Sequence, residues 1–314
     1  MKTVNKLIKT FCLIISFLVL GTVANAATVV VGDVNGDGTV TMSDANVVVN
    51  YYLATTKPSD FNKAAGDVNN DGDITMSDAN IIVNMFLSGN TGDPANGHEY
   101  VDLGISVKWA TCNVGADNPW DYGDYFAWGE TETKSKYGWG TYKWCNLGNP
   151  YILTKYNTMS NRGTVDDNTT LEPADDAATA NWHGAWRMPT QQEQTALCDS
   201  CYWEWTTDYN SKGVAGYIVY KAKADADMGK KKTSGRNITT LGTYTLSDTH
   251  IFLPTTGHRN GNNLDYAGSY GEYWSASLEE GGSNCAWGMN FELNDVGCYF
   301  NERYSGFSVR AVLP

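Results

Sequence analysis

Basic residues are scarce in this chain of 314 residues, where 22 Lys and Arg stand against 35 Asp and Glu. Residues 1–26 hold three of the lysines and no acid, so the rest of the chain balances 19 basic residues against 35 acidic ones. Affinity for phosphate depends on Lys and Arg, so this composition excludes nucleic acid as a partner. An acidic excess favours binding of divalent cations instead.

Catalytic motifs are missing as well. The sequence has no G-x-S-x-G, H-E-x-x-H, phosphate-loop or dinucleotide-binding pattern, and its four histidines are scattered without the spacing of metal ligands. Cys198-x-x-Cys201 lacks two further zinc ligands and the βαβ context of a thioredoxin-like site, so we expect both cysteines to be structural. The prediction is a protein that is not an enzyme.

Long apolar runs do not occur after residue 26, which predicts no transmembrane segment in the mature chain. At the N-terminus, three lysines precede an apolar run over residues 11–20, and Ala24-Asn25-Ala26 follows. This pattern is typical of a secretory signal peptide over residues 1–26, cleaved after Ala26. The mature protein is therefore expected to be exported, and to be extracellular or at the cell surface.

An exported protein can form disulfides, and six cysteines follow the signal peptide. They allow up to three bridges in 15 connectivities, and the sequence leaves the pairing open. A hairpin turn at Asn294-Asp295 would place Cys298 opposite Phe291, about 20 Å along the strands from Cys285, which argues against a bridge between these two. The six are Cys112, Cys145, Cys198, Cys201, Cys285 and Cys298.

An internal repeat with an offset of 34 residues relates residues 32–53 to residues 66–87, with 15 of 22 positions identical. Each copy begins with D-x-N-x-D-G and has another Asp at position 12, which is the pattern of an EF-hand calcium loop. Ca²⁺ prefers six to eight oxygen ligands, so alternate residues of a tight loop must point inward. Two aligned copies make an accidental match to a solvated turn improbable, and they predict two bound Ca²⁺ ions.

The predicted ligands occupy equivalent positions in the two loops, with a glycine at position 6 for the sharp turn. Position 7 contributes its backbone carbonyl, and the other positions contribute side chains. In the first loop they are Asp33, Asn35, Asp37, Thr39 and Asp44; in the second they are Asp67, Asn69, Asp71, Asp73 and Asp78.

Apolar residues with helical spacing follow each loop and predict one helix per loop, so that each unit is half an EF-hand and two units must pack together. The predicted core faces are Ala45, Val48, Val49, Tyr52 and Leu53, and Ala79, Ile82, Val83, Phe86 and Leu87. A second apolar face is predicted to bind a partner, or alternatively to pack on the linker or the C-terminal domain. It comprises Val47, Tyr51, Ile81 and Met85, with Met42 and Met76 near the loop ends.

These features make residues 27–90 resemble a dockerin module. The resemblance implies that two loop–helix units bind Ca²⁺ and dock onto a cohesin-like domain of a scaffold protein. Two features depart from the family pattern: the module lies near the N-terminus of the chain, and loop positions 10 and 11 are Met-Ser in both copies.

A Gly/Asn/Pro-rich linker over residues 91–98 leads to a region of different composition, since all 11 Trp follow it. Short segments rich in aromatic and β-branched residues predict strands there, including 100–109, 217–222, 251–253, 273–276, 285–293 and 307–313. A capping box formed by Thr190 and Glu193 predicts one helix over residues 191–200. Residues 99–314 are therefore predicted to be a strand-rich α+β domain.

Six strings occur in order along this region: EYVDLGISVKWATCNVGA, PWDYGDYFAWGETETK, WRMPTQQE, FLPTTGHR, GEYWSASL and GFSVRAV. Together they resemble the FISUMP (major paralogous) domain family of exported bacterial proteins. The resemblance implies a C-type-lectin-like fold and no defined activity. The fold class expected for the whole chain is multidomain: a small all-α calcium module followed by a larger α+β, C-type-lectin-like domain.

Three functional hypotheses remain. The first is an exported, non-catalytic calcium-binding protein whose dockerin-type module tethers a recognition domain to a surface or to a polysaccharide-degrading assembly. The second is an accessory carbohydrate-active component that binds or hydrolyses glycans through residues 99–314. The third is a structural surface protein in which the calcium loops serve only to fold the module. A cohesin-like domain, a glycan and a surface protein are thus the partners considered.

Overall fold

The computed structural model describes residues 30–68, 72–87, 95–233 and 243–314. The predicted signal peptide, the predicted ligands Asn69 and Asp71, and residues 91–94 of the predicted linker lie outside these ranges. None of the helices within the described ranges has the length and apolar character needed to cross a lipid bilayer.

The N-terminal module contains three helices in the described ranges: α1 (Met42–Leu53), α2 (Lys63–Gly66) and α3 (Met76–Leu87). The helices predicted after each loop are confirmed as α1 and α3, which pack against each other. Thr41 and Asp44 form a capping box that starts α1. The two units bury one shared core, made of Val34, Val40, Ala45, Val48, Ala65, Ile74, Ala79 and Ile82.

The predicted core face is correct at its start and wrong at its end. Ala45 and Val48 are buried, as are the equivalent residues of α3, but Tyr52 and Leu53 are 45% and 68% exposed, and Phe86 is 43% exposed. In the first unit, Phe61 of the connecting segment packs on Tyr51, so the covered face of α1 includes Tyr51 in place of Tyr52. The last turn of each helix therefore presents apolar side chains to solvent.

The larger region is an α+β domain of several small sheets, as predicted for its class. A sheet of order β1-β2-β12 brings the two ends of the domain together, and a second sheet has the order β5-β3-β4-β6. Their strands are β1 (Tyr100–Val101), β2 (Lys108–Ala110), β3 (Cys201–Thr206), β4 (Gly216–Lys221), β5 (Lys231–Lys232), β6 (His250–Pro254) and β12 (Val312–Leu313).

The described part of this domain also contains two further sheets, two α-helices and four short 3-10 helices. Helix α5 matches the prediction over residues 191–200 and begins at the predicted Thr190–Glu193 capping box. The elements are α4 (Ala177–Trp182), α5 (Gln191–Ser200), a hairpin of β7 (His258–Asn260) and β8 (Asn263–Asp265), and a sheet of order β11-β10-β9 made of β9 (Gly271–Leu278), β10 (Cys285–Glu292) and β11 (Asp295–Glu302).

Two of the predicted strands are longer than the strands in the structure, because loops take the place of part of each predicted strand. Residues 100–109 form two short strands, β1 and β2, and residues 307–313 form a strand only at Val312–Leu313. The hairpin register also differs by two residues from the prediction: Cys298 pairs with Met289, not Phe291. Cys285 pairs with Glu302, so the conclusion that Cys285 and Cys298 are not opposite each other is unchanged.

Aromatic side chains fill the core of this domain, as the sequence predicts for most of them. Trp109, Trp128, Trp186, Trp203 and Trp274 are each at most 1% exposed. Several indole groups are anchored by hydrogen bonds that cross the domain; for example, Trp128 Nε1 donates to the carbonyl of Ser275 at 2.8 Å. The core therefore combines large apolar area with hydrogen-bonded indole groups, except at Trp109, whose buried Nε1 has no hydrogen-bond partner among the described residues.

Candidate calcium loops, docking surface and pocket

Asp33 organises the first loop because both of its carboxylate oxygens accept hydrogen bonds from backbone amides. Its Oδ1 accepts from the amides of Gly36 at 2.9 Å and Asp37 at 3.1 Å, and its Oδ2 accepts from Gly38 at 2.9 Å. The two glycines have φ values of 73° and 92°, in the left-handed region that favours glycine. The D-x-N-x-D-G sequence thus folds into a tight turn around the first carboxylate.

Asp44 closes the loop from its other end. The side chain is fully buried, and its Oδ1 accepts from the amides of Val34 at 2.8 Å and Asn35 at 3.0 Å. Its Oδ2 accepts from the amide of Thr41 at 2.9 Å and from the Thr41 hydroxyl at 3.1 Å. One carboxylate therefore joins the start of the loop to the start of α1.

The remaining predicted side-chain ligands of the first loop lie on its exposed side. Asn35 Nδ2 donates to Asp37 Oδ2 at 2.9 Å, and the Thr39 hydroxyl donates to Asp37 Oδ1 at 2.7 Å. These hydrogen bonds, with that from Thr39 the largest cause, lower the pKa of Asp37. The carboxylate is thereby held in the charged form that a cation requires.

The second loop repeats this arrangement. Asp78 is fully buried, and its Oδ1 accepts from the amide of Val68 at 3.1 Å while its Oδ2 accepts from the amide of Thr75 at 2.8 Å. Asp67 Oδ2 accepts from the amide of Gly72 at 2.9 Å, as Asp33 does from Gly38. Asp73, whose carbonyl is the predicted ligand at position 7, is exposed.

The chemistry of these donors fits Ca²⁺. Carboxylate, amide and carbonyl oxygens are the ligands that this hard cation takes, and each loop supplies them at the required alternate positions. In the described ranges, no group of three or more His, Cys, Asp or Glu side chains is arranged to hold a metal ion. In the first loop, Asp33 and Asp44 accept hydrogen bonds from backbone amides, so the loop backbone holds both carboxylates in place.

The residues predicted to bind a partner divide into two groups. Met42 and Met76 are 43% and 41% exposed, but the other four are half-buried. The prediction that the second face turns away from the core is wrong for Val47, Tyr51 and Met85, which pack against it. The Tyr51 ring lies 4.0 Å from that of Phe61 and beneath Lys57 Nζ at 4.9 Å, so the connecting segment already covers it. Ile81 is the remaining half-buried member.

Five exposed apolar side chains of the module lie in the first or last turn of α1 or α3, and we call this set the end-turn surface: Met42, Tyr52, Leu53, Met76 and Phe86. The internal repeat relates Met42 to Met76 and Tyr52 to Phe86. Each unit therefore carries a similar exposed apolar pair. The internal repeat could have indicated these exposed pairs, because it places apolar residues at equivalent positions of both units. The helical periodicity instead assigned Tyr52 and Phe86 to the core.

The larger domain has a pocket of about 380 Å³ on the sheet formed by β9, β10 and β11. Glu272, Asn290 and Gly297 lie side by side on the three strands in this region. Three exposed tyrosines, Tyr266, Tyr270 and Tyr299, also line or border it. The remaining lining residues are His258, Phe291, Glu292 and Asp295.

Acidic groups dominate the polar chemistry of this pocket. His258 Nδ1 lies 2.6 Å from Glu272 Oε2, and this hydrogen bond is the largest cause of the raised pKa of His258. Tyr299 donates its hydroxyl proton to Asp295 Oδ2 at 2.6 Å. The pocket therefore offers carboxylate acceptors beside aromatic faces. Sequence reasoning missed it because its residues come from four strands and one loop that no local spacing connects.

Comparison with family models finds a match to part of the chain. Residues 31–87 match the family model of the dockerin type I domain, a calcium-binding domain that binds cohesins. No curated protein and no solved structure matches the chain. The match includes both loops, α1 and α3, and it ends before the larger domain. The resemblance of residues 99–314 to the FISUMP family therefore stays a prediction.

Proposed function

We propose that this protein is an exported, non-catalytic component of a cell-surface or polysaccharide-degrading assembly, tethered through its calcium-dependent N-terminal module to a cohesin-type domain. The observation that carries this proposal is the duplicated loop–helix unit, whose residues 31–87 match the dockerin type I domain. The larger domain, for which we propose a C-type-lectin-like fold, then presents a recognition surface to a glycan or a surface protein.

The proposed ligands are the five residues predicted in each loop, and two ions are expected per chain. Asp33, Asp37 and Asp44 carry three negative charges within one short loop. A bound divalent cation offsets the mutual repulsion of these carboxylates, and its coordination bonds replace the water that the cation and the carboxylates lose. Because Asp44 also caps α1, occupancy of the loop is coupled to the helix that carries the proposed docking residues.

The end-turn surface is the part of the module best suited to contact a partner. Its apolar side chains lie on both helices and are exposed, whereas Val47, Tyr51 and Met85 are engaged with the module core. Exposed aromatic and Met side chains are enriched in the centres of protein interfaces. The repeat gives the partner two similar surfaces, so one substituted unit is expected to leave part of the binding intact.

Calcium-dependent binding to recombinant type I cohesin domains tests this proposal. Full-length protein is expected to bind at least one member of a cohesin panel in calcium and none in EDTA. Replacing Tyr52 and Phe86 with Asp should weaken binding at least 100-fold, while Tyr151→Asp in the larger domain, an exposed control, should not change it. Absence of binding to every cohesin in calcium favours the structural hypothesis, in which the loops only fold the module.

A second candidate function is glycan binding by the pocket on β9, β10 and β11. Carboxylates accept hydrogen bonds from sugar hydroxyls, and exposed tyrosine faces provide the flat apolar area on which a pyranose ring packs. Its volume of about 380 Å³ lies within the usual range for small-ligand sites. This observation favours binding of neutral sugars, and it names no pair of groups for hydrolysis.

Titration of neutral plant and microbial oligosaccharides against the full-length protein tests the glycan candidate. Tyr266→Ala and Glu292→Gln are each expected to weaken binding at least tenfold, which corresponds to about 1.4 kcal/mol. Tyr151→Ala, which removes an equally exposed tyrosine outside the pocket, is the matched control. Saccharide binding that is unchanged in both pocket variants contradicts this assignment of the site.

A further inference from the structure

Two cysteines that are 100 positions apart in the sequence meet where α5 packs against β11. Cys198 lies on α5 and is buried, with 6% of its surface exposed, and Cys298 lies on β11 and is half-buried. The Thr195 hydroxyl, one helical turn before Cys198, donates to the Gln191 carbonyl at 2.9 Å and lies 3.6 Å from the Cys298 sulfur. Cys198 follows Thr195 on the same face of α5, and its thiol is the group that most strongly affects the pKa of Cys298.

The two thiols are unequal in exposure, because Cys198 is buried and Cys298 is half-buried. The contact with Cys198, followed by that with Thr195, also lowers the pKa of Cys298, whereas the same contact and burial raise the pKa of Cys198. The thiolate is the reactive form of cysteine in disulfide exchange. An external disulfide therefore reaches Cys298 first, and Cys198 is placed as the second thiol.

The other cysteine of the C-x-x-C sequence is placed differently. Cys201 begins β3, opposite Lys221 of β4, and burial alone raises the pKa of its thiol to about 12. The geometry thus pairs Cys198 with a residue on a distant strand instead of with its neighbour in the sequence. The sequence left all connectivities open, and the structure has the six described cysteines as free thiols.

We propose that Cys198 and Cys298 form a disulfide bond in the exported protein, which joins α5 covalently to β11. The oxidant is a disulfide, either glutathione disulfide or a protein disulfide. The Cys298 thiolate attacks one sulfur of it, forms a mixed disulfide and releases one thiolate. Cys198 then loses its proton and attacks the Cys298 sulfur, which releases the second thiolate. Two protein thiols are oxidised, and one external disulfide is reduced to two thiols.

The bond would stabilise the larger domain by closing a long loop in the unfolded chain, and the stabilisation grows with loop length. A 100-residue loop in a domain of about 200 residues corresponds to an increase in the midpoint of thermal unfolding of roughly 8 °C or more. The proposal depends on export for its oxidising environment, but it does not depend on calcium, a cohesin or a glycan.

The test uses the full-length protein, purified in reducing buffer and then equilibrated with oxidised and reduced glutathione. Peptide mapping by mass spectrometry is expected to find a cross-linked Cys198–Cys298 pair with the loss of two hydrogens. Dithiothreitol should lower the thermal midpoint of the oxidised larger domain, and Cys298→Ser should remove that dependence. Cys112→Ser, which replaces a half-buried cysteine elsewhere in the domain, should keep it.

A readout on the reduced wild-type protein keeps the test independent of whether a variant folds. Brief alkylation with iodoacetamide at pH 8 should modify Cys298 faster than Cys198, because Cys298 is the more exposed of the two and its pKa is lowered. Free thiols at both Cys198 and Cys298 after equilibration with glutathione overturn the proposal. A cross-link between Cys198 and Cys201, or a redox-dependent thermal midpoint in Cys298→Ser, overturns it as well.

Discussion

Chelation with EDTA is expected to abolish the helical far-UV circular dichroism of residues 27–92. Without a cation, the acidic side chains of each loop repel one another, and a module of about 60 residues buries too little surface to offset that repulsion. Its described core consists of only eight side chains, two of them from each of the two long helices. Adding Ca²⁺ in excess should restore the signal, whereas an equal concentration of Mg²⁺ should restore less, because Mg²⁺ demands a smaller octahedral site.

The larger domain provides the internal control for this experiment. It has no repeat of the acidic loop, so its cooperative thermal transition should be the same in EDTA and in calcium. An unchanged far-UV spectrum of residues 27–92 on chelation, with calcium absent by mass spectrometry, contradicts calcium-dependent folding. A loss of the transition of residues 98–314 on chelation would reveal a calcium site in the larger domain.

Arg303→Met is expected to destabilise the larger domain by about 3–5 kcal/mol. Arg303 is fully buried, and its guanidinium donates to the carbonyls of Tyr156 at 3.0 Å and Ser283 at 2.8 Å. It also donates to the carbonyl of Lys155 at 3.1 Å and to the Tyr142 hydroxyl at 2.8 Å. Methionine fills part of the volume but leaves three carbonyls without this donor, in a region closed to water.

Urea denaturation followed by tryptophan fluorescence measures this effect, since buried Trp128 lies against the guanidinium, 4.8 Å from ring centroid to Cζ. Lys136→Met is the matched control, because it removes an exposed positive charge in the same domain and should change the free energy of unfolding by no more than about 0.5 kcal/mol. A loss below about 1 kcal/mol for Arg303→Met would mean that the surrounding loops find other donors.

Local spacing predicted the calcium loops and the two long helices because their determinants are close in sequence. Asp33 contacts residues three to five positions away, and Asp44 contacts residues up to ten positions away, so a 12-residue pattern contains most of the interaction. The prediction that Tyr52 belongs to the core face of α1 was wrong, because the periodicity of apolar residues describes one helix and not the segments that pack against it. Phe61, from the connecting segment, decided which face of α1 was covered.

For the larger domain, the sequence predicted the α+β class but not the contacts between distant residues. Its pocket joins Glu272 of β9 to Asn290 of β10, and the proposed disulfide joins α5 to β11 across 100 positions. Arg303 likewise binds carbonyls up to 148 positions away. Such contacts arise from tertiary packing, which composition and periodicity do not encode. Composition alone did predict the aromatic core, because large aromatic residues must be buried somewhere in a domain of this size.

Calcium titration of the full-length protein by isothermal calorimetry counts the ions that the two loops bind. Two bound ions are expected per wild-type chain, and none in a variant with both Asp44→Ala and Asp78→Ala, which removes the buried carboxylate of each loop. Ca²⁺ binding that is absent from the wild type at millimolar concentration, or that remains at two ions in the double variant, would contradict this expectation.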